Sequence, residues 1–298
     1  MNFRTDLALE RQESFADGEI KGVEFSSREE TSVKISHINV LDERGEKALG
    51  KPKGHYITVE FPSLKGFTEN LEFWSEIISN EISHLIPAEG TVLVAGLGNS
   101  DITPDALGPE CVSQLLATRH IKSEIGIPSY LSELRGVAGV VPGVLGNTGI
   151  ETAEILKGVV SQIEPCAVIV IDALAARSLE RLGNTVQMCD TGVSPGSGVG
   201  NRRKRIDADF LGVPVIAVGV PTVVDGLTVA LDIMEKGGIR LSGAEKRSVL
   251  QSEKGMMVTP KEIDLVVKRA AKLVSLSLNR ALQPKMNVQD ITALVSSV

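Results

Sequence analysis

The chain has 298 residues, of which 42% are hydrophobic and 23% charged. That is enough to bury a core without metals or disulfides, and it excludes wholesale disorder. A net charge of −7 argues against a phosphate backbone as a direct partner, and 3% aromatics with Trp74 the sole tryptophan exclude stacking platforms for single strands.

The first residues, MNFRTDLALERQESFADGE, contain no apolar h-region, so they do not read as a secretory signal. Residues 1 to about 30 are polar with little periodicity and predict a mobile or loosely docked arm. β-branched alternation over 32–41 and 55–61 predicts a hairpin, whose polar loop opens with Asp42-Glu-Arg-Gly45. Over 68–86 apolar residues recur at helical spacing (Leu71, Trp74, Ile77, Ile78, Ile82, Leu85), and Pro87 closes the helix. A short strand at 91–95 breaks into Gly96-Leu97-Gly98-Asn99, and Pro104 announces a helix over 105–119.

Residues 135–149 are a glycine-rich apolar loop, followed by a helix over 151–163 and a strand over 167–171 that ends at Asp172. Further strands are expected at 185–188 and 213–219, with a glycine-rich loop over 191–201 between them. Helices over 223–235, 260–282 and 288–295 complete the chain. Strands alternating with helices predict an α/β fold: a mostly parallel sheet with helices on both faces, plus an N-terminal β-hairpin at an edge. The hairpin spans 32–62 and the core 91–298, within one domain over 7–298. The apolar runs are too short or too glycine-rich to span a bilayer, so no membrane association is expected. In such a sheet the site lies at the carboxyl ends of the strands, here the segment 96–105, Asp172 and the loop from Asp190.

Three residue types can be set aside first. Cys111, Cys166 and Cys189 are odd in number and widely spaced, and they read as reduced thiols of an intracellular protein. Gly96-Leu-Gly-Asn-Ser-Asp101 resembles a dinucleotide fingerprint, but Asp101 stands where the third glycine belongs and its carboxylate would repel pyrophosphate. Gly192-Val-Ser194-Pro-Gly196 matches a nucleophile elbow, yet His37, His55, His84 and His120 all precede Ser194, against the order that a hydrolase triad needs. No H-E-x-x-H or Cys/His cluster predicts a metal, and no cofactor is expected. Asp190-Thr-Gly192 is a lone three-residue match to pepsin-like proteases and leaves Asp190 in reserve.

Carboxylates remain. Asp172 follows five apolar strand residues, and a buried carboxylate must be paired or functional. Asp105, in Thr103-Pro104-Asp105, equally suits a first-turn acid facing a helix dipole. Two carboxylates brought close cannot both ionise easily, so one holds a proton while the other accepts one. Such a pair can deprotonate water and protonate a leaving amide, which makes peptide hydrolysis available without His, Cys or metal.

Several long blocks closely resemble the germination protease family of spore-forming bacteria: RTDLALE (4–10), GLGNSDITPDALGP (96–109), SYLSELRGVAGVVPGVLGNTGIET (129–152), VIVIDALAARSLERL (168–182), DTGVSPGSGVGNRRK (190–204) and MMVTPKEID (256–264). The resemblance implies an endopeptidase that degrades small acid-soluble spore proteins during germination, located in the cytoplasm of the forespore or spore core. It implies an autoprocessed zymogen with a propeptide over 1–6 and a junction between Asp6 and Leu7. It also implies a homotetramer, an atypical aspartic mechanism with Asp105 and Asp172 catalytic, and a fold like that of hydrogenase maturation proteases. Gly96, Gly98 and Asn99, or Gly196, Gly198 and Gly200, then stand as loops for an oxyanion or substrate, with Asp101 in reserve. Arg177 either neutralises nearby charge or is a surface cation of a helix. The alternatives are a metal-sensing peptidase of the hydrogenase-maturation type, disfavoured because the matching loops lack His, and a non-catalytic binding module on the same fold.

Overall fold

The structure, a computed structural model, describes residues 4–15, 19–62, 67–121, 133–196, 203–239, 242, 245 and 256–296. Its centre is a nine-stranded sheet built from β1 (Val23–Glu30), β2 (Val33–Val40), β3 (Gly54–Glu60), β4 (Val92–Gly96), β5 (Val137–Val140), β6 (Ala167–Ala176), β7 (Thr185–Cys189), β8 (Val215–Asp225) and β9 (Met257–Val258). The strands lie in the order β1-β2-β3-β7-β8-β6-β4-β5, and β9 pairs with β8. The α/β class is therefore as expected, with parallel pairing confined to β8, β6, β4 and β5. From β8 through β7 to β1 every ladder is antiparallel.

Alternation along the parallel strands sends side chains to two cores. Val92, Val94, Ile169 and Ile171 face α3 (Phe67–Leu85), α4 (Leu107–Val112) and α9 (Ile263–Leu282). Leu93, Ala95, Val168 and Val170 face Leu156 and Val160 of α6 (Thr152–Ile163) and Leu211 of α7 (Ala208–Leu211). The remaining helices are α1 (Ala8–Glu13), α2 (Glu43–Leu49), α5 (Leu145–Thr148), α8 (Gly226–Lys236) and α10 (Val288–Ser296).

Four expectations are corrected. The N-terminal arm is docked, not loose: Leu7, Ala8 and Leu9 are buried, and residues 23–30 form β1. A three-residue apolar run is too short to show periodicity, and its burial is decided by what it packs against. The edge hairpin is likewise a three-stranded unit, and its connection contains α2, capped by the Asp42 carboxylate on the N–H groups of Arg44 and Gly45.

The helix expected over 105–119 shrinks to a 3₁₀ turn at Thr103–Asp105 and the short α4. Beyond it, Thr118 and Arg119 both donate their N–H groups to the Val137 carbonyl, which draws the chain alongside β5 inside the expected loop 135–149. Finally, Asp172 does not end its strand. β6 runs on to Ala176, paired with β8 from Val168 onward with one register shift after Leu174, whereas β4 stops opposite Ile171.

Candidate active site

The early end of β4 makes the site. On the even-numbered face of β6, Val168 and Val170 are covered by the α6 core, and Leu174 and Ala176 pack with Leu7, Leu182 and Val224. Asp172 lies between these two apolar clusters, only 7% exposed, on a cleft of about 730 Å³. Asp6, Lys51, Asp105 and Gln187 line the same cleft.

Asp105 is aimed by the glycine turn after β4. The Asn99 N–H donates to its Oδ2 at 2.8 Å, and the Leu97 N–H is engaged by the Ile171 carbonyl at 2.8 Å. Gly98 has φ +110, and a Cβ there would stand 1.9 Å from the Asp105 carbonyl oxygen. Gly96 and Gly108 let the end of β4 and α4 meet backbone to backbone, since a Cβ on Gly96 would lie 2.2 Å from the Gly108 carbonyl oxygen. Glycine in this block therefore shapes the seat of Asp105.

Burial pushes the Asp172 carboxyl well above the usual carboxylate range. The negative charges of Asp105 and then Asp6 push it further, and a hydrogen bond from the Ala173 backbone opposes them. Asp105 is also raised, chiefly by burial, with the Asn99 N–H pulling the other way. The two carboxyls are thus raised unequally, Asp172 the more, an asymmetry of the kind acid–base chemistry uses.

The chain's own N-terminal segment contributes Asp6 to the wall of the cleft. The Asp6 N–H donates to the Ala175 carbonyl at 2.8 Å, and the Ala175 N–H returns to Asp6 Oδ2 at 2.9 Å. The Asp6 carbonyl accepts from Lys51 Nζ at 2.7 Å and from Gln187 Nε2 at 3.0 Å. Gln187 Oε1 accepts the Ala8 N–H at 2.6 Å, and the Leu7 N–H donates to Thr5 Oγ1 at 3.0 Å. Thr5 in turn donates to Glu10, whose carboxylate takes the backbone N–H groups of Arg177 at 2.7 Å and Ser178 at 3.0 Å. Burial lowers the Lys51 ammonium from its ordinary value, against the raising effect of Asp6.

The other residues singled out from the sequence fall elsewhere or play other parts. Asp190 is bound to His55 through the backbone N–H at 2.8 Å and ring Nδ1 at 2.7 Å, which pins the start of β3. Asp101 is exposed, its N–H held by Asn99 Oδ1 at 3.0 Å. Arg177 lines a separate cleft with Glu10, Glu13 and Glu60. Gly196 lines the main cleft, and Gly198 and Gly200 lie outside the described residues. Ser194 also lines the cleft, with Arg205 Nη1 3.5 Å from its hydroxyl.

Lys51, Gln187 and Glu10 escape sequence reading, since a lysine in a polar loop, a glutamine in a strand and a glutamate in a charged arm carry no pattern. So does Thr222, whose buried hydroxyl lines the cleft with no hydrogen-bond partner among the described residues. Among the described residues no group of three or more His, Cys, Asp or Glu is arranged to hold a metal ion. Among the same residues no helix is long and apolar enough to cross a membrane.

Two carboxyls raised by burial, Asp172 and Asp105, thus line one cleft whose wall includes Asp6 of the N-terminal segment. The germination protease family model matches residues 4–236, and the chain belongs to that family of peptidases. The germination protease of Caldanaerobacter subterraneus subsp. tengcongensis is 46% identical, over 99% of this chain and 98% of the relative. That of Clostridium tetani is 42% identical over 99% and 100%, and that of Priestia megaterium 37% over 97% and 96%. Among solved structures, the [NiFe] hydrogenase maturation protease HycI from Thermococcus kodakarensis KOD1 covers 66% of this chain and 98% of its own. Its identity of 14% and TM-score of 0.34 are too low to bear on the assignment.

Proposed function

We propose that this chain is an endopeptidase of atypical aspartic type that starts the degradation of small acid-soluble spore proteins during germination. It is made as a zymogen and cuts its own Asp6–Leu7 bond. The observation that carries the reading is that buried Asp172 and partly buried Asp105 line one cleft together with Asp6, the residue before the proposed cut. Asp105, the more readily ionised member, takes a proton from water as the water oxygen attacks the scissile carbonyl carbon. Asp172 gives its proton to the leaving nitrogen, and the pair is reset when the proton on Asp105 returns to Asp172.

Lys51, Arg203, Lys204 and Arg205 line the same cleft as Asp6, Asp105, Glu151 and Asp172, and Arg203, Lys204 and Arg205 are ion-paired to Glu151, Glu154 and Asp207. Assembly as a homotetramer in the spore cytoplasm rests on the family resemblance of the sequence blocks. Exposed Ile233, Ile239 and Met256, at 63%, 56% and 66%, are apolar surface that a second copy would cover.

The test is steady-state cleavage of a small acid-soluble spore protein by Asp105→Asn. The loss expected for a general base is about 10²–10⁴-fold in kcat with little change in KM. Wild-type kcat in the folded variant would refute the role.

A further inference from the structure

The Asp6–Leu7 bond is gripped on both sides by side chains from outside the aspartate pair. Its carbonyl oxygen holds two donors, Lys51 Nζ at 2.7 Å and Gln187 Nε2 at 3.0 Å. The far end of the same glutamine fixes the next amide, Ala8 N–H, at 2.6 Å. Sheet register explains why this grip belongs with the chemistry. Gly219 of β8 is paired with Asp172 on one side and with Gln187 on the other, so the three residues form one row across the sheet.

Residues in register share a face, and strands about 4.8 Å apart put the two outer Cα atoms about 10 Å from each other. The middle position has no side chain of its own, and the Leu174 side chain lies over it, where a Cβ on Gly219 would stand 2.6 Å from Leu174 Cγ. Backbone donors of the glycine turn are less suited to binding that oxygen, because the Leu97 and Asn99 N–H groups are already engaged, by Ile171 and Asp105.

We infer that Lys51 and Gln187 are the carbonyl-binding pair of this peptidase, taking up the charge that develops on the oxygen of the bond being cut, first in Asp6–Leu7 and then in the equivalent bond of a substrate. The inference rests on the reading of the chain as a carboxylate peptidase that cuts this bond. In the step, water oxygen bonds to the Asp6 carbonyl carbon while one water proton passes to the Asp105 carboxylate. The carbonyl π pair moves onto oxygen, where the Lys51 ammonium and the Gln187 amide N–H stabilise it. That pair then re-forms the C=O bond as the C–N bond breaks, and the Leu7 nitrogen leaves with the proton of Asp172. The products are the Asp6 α-carboxyl and the Leu7 amine.

The test compares full chains carrying wild-type sequence, Lys51→Met, Lys51→Arg, Gln187→Glu and Asp172→Asn. Intact-mass time courses follow the Asp6–Leu7 bond. In parallel, kcat and KM are measured on a synthetic peptide of residues 1–12, and circular dichroism reports folding. Gln187→Glu keeps an oxygen for the Ala8 N–H and replaces the donor by a carboxylate oxygen, and Lys51→Met, which introduces no new charge, is read beside it to separate carbonyl binding from added repulsion.

The proposal expects Lys51→Met and Gln187→Glu each to lower kcat about 10²–10³-fold, with KM within a few-fold of wild type. Lys51→Arg should recover much of the loss. Wild-type kcat in folded Lys51→Met and Gln187→Glu, or an effect confined to KM, overturns it. If the wild-type chain itself leaves Asp6–Leu7 intact while cutting the peptide, self-cleavage is withdrawn and the peptide kcat alone decides the pair. If wild type and Asp172→Asn behave alike in both assays, the peptidase reading fails, and the proposal with it.

Discussion

Asp172 is an acid set among apolar strand residues, and the fold bears a cost for keeping it there. Its carboxyl is raised in the folded chain, first by burial and then by Asp105 and Asp6. The folded state therefore holds a proton that the unfolded chain releases above about pH 3.9, and stability falls as pH climbs from there toward the folded value. Asp172→Asn removes that cost. We expect its melting temperature to exceed wild type at pH 7, with the difference shrinking toward zero near pH 4, as scanning calorimetry across pH would record. A second residue-scale prediction concerns Gly98, where a Cβ would collide with the Asp105 backbone at φ +110. Gly98→Ala should lower kcat about 10²-fold by shifting Asp105 roughly 1 Å, with the far-UV spectrum unchanged. Retention of wild-type kcat would mean that the turn does not aim the carboxylate. Asp172 was legible in the sequence because five apolar residues lead into it. The service of Gly98 to Asp105 was not, because a tight turn written in glycine looks the same whatever it supports.

Among the elements, α1 and the six residues around it carry the least sequence signal and the most consequence. Glu10 is 2% exposed and accepts the N–H groups of Arg177 and Ser178, with Arg181 Nη1 3.4 Å away. Arg181 also binds Glu13 and Glu60, so one cation ties the N-terminal segment to β3 and to the end of β6. Glu10→Ala orphans two backbone donors at roughly 1–3 kcal/mol each, and urea unfolding should show a loss of about 2–4 kcal/mol. A loss below about 0.5 kcal/mol would mean that the segment is held by Leu7 and Leu9 alone. A helix of six residues offers too few turns for periodicity, so its docking depends on partners more than 160 positions away in the chain. The long helices α3 and α9 were readable for the opposite reason, since each repeats its apolar face over several turns. The helix expected after Pro104 was overestimated because the chain beyond α4 turns to β5 instead, where Thr118 and Arg119 donate to the Val137 carbonyl, a contact that no local pattern specifies.

At the scale of the molecule, the sheet divides at β8 into a parallel half that carries Asp172 and an antiparallel half that carries Gln187. The cleft opens where the halves meet, with Asp6 from the N-terminal segment and Lys51 from the α2–β3 connection completing its wall. Alternating β and α segments made the parallel half legible. The antiparallel join was not, because strand order across β7 and β8 depends on contacts between segments that no local pattern specifies. We propose that two carboxylates on this cleft cut peptide bonds. The measurement that tests it most directly is the mass spectrum of a small acid-soluble spore protein after incubation with wild-type chain, with and without a chelator, and with Asp172→Asn. One or a few discrete cuts are expected, unchanged by chelator and lost in the variant. Cuts abolished by the chelator, or made equally well by folded Asp172→Asn, would contradict it.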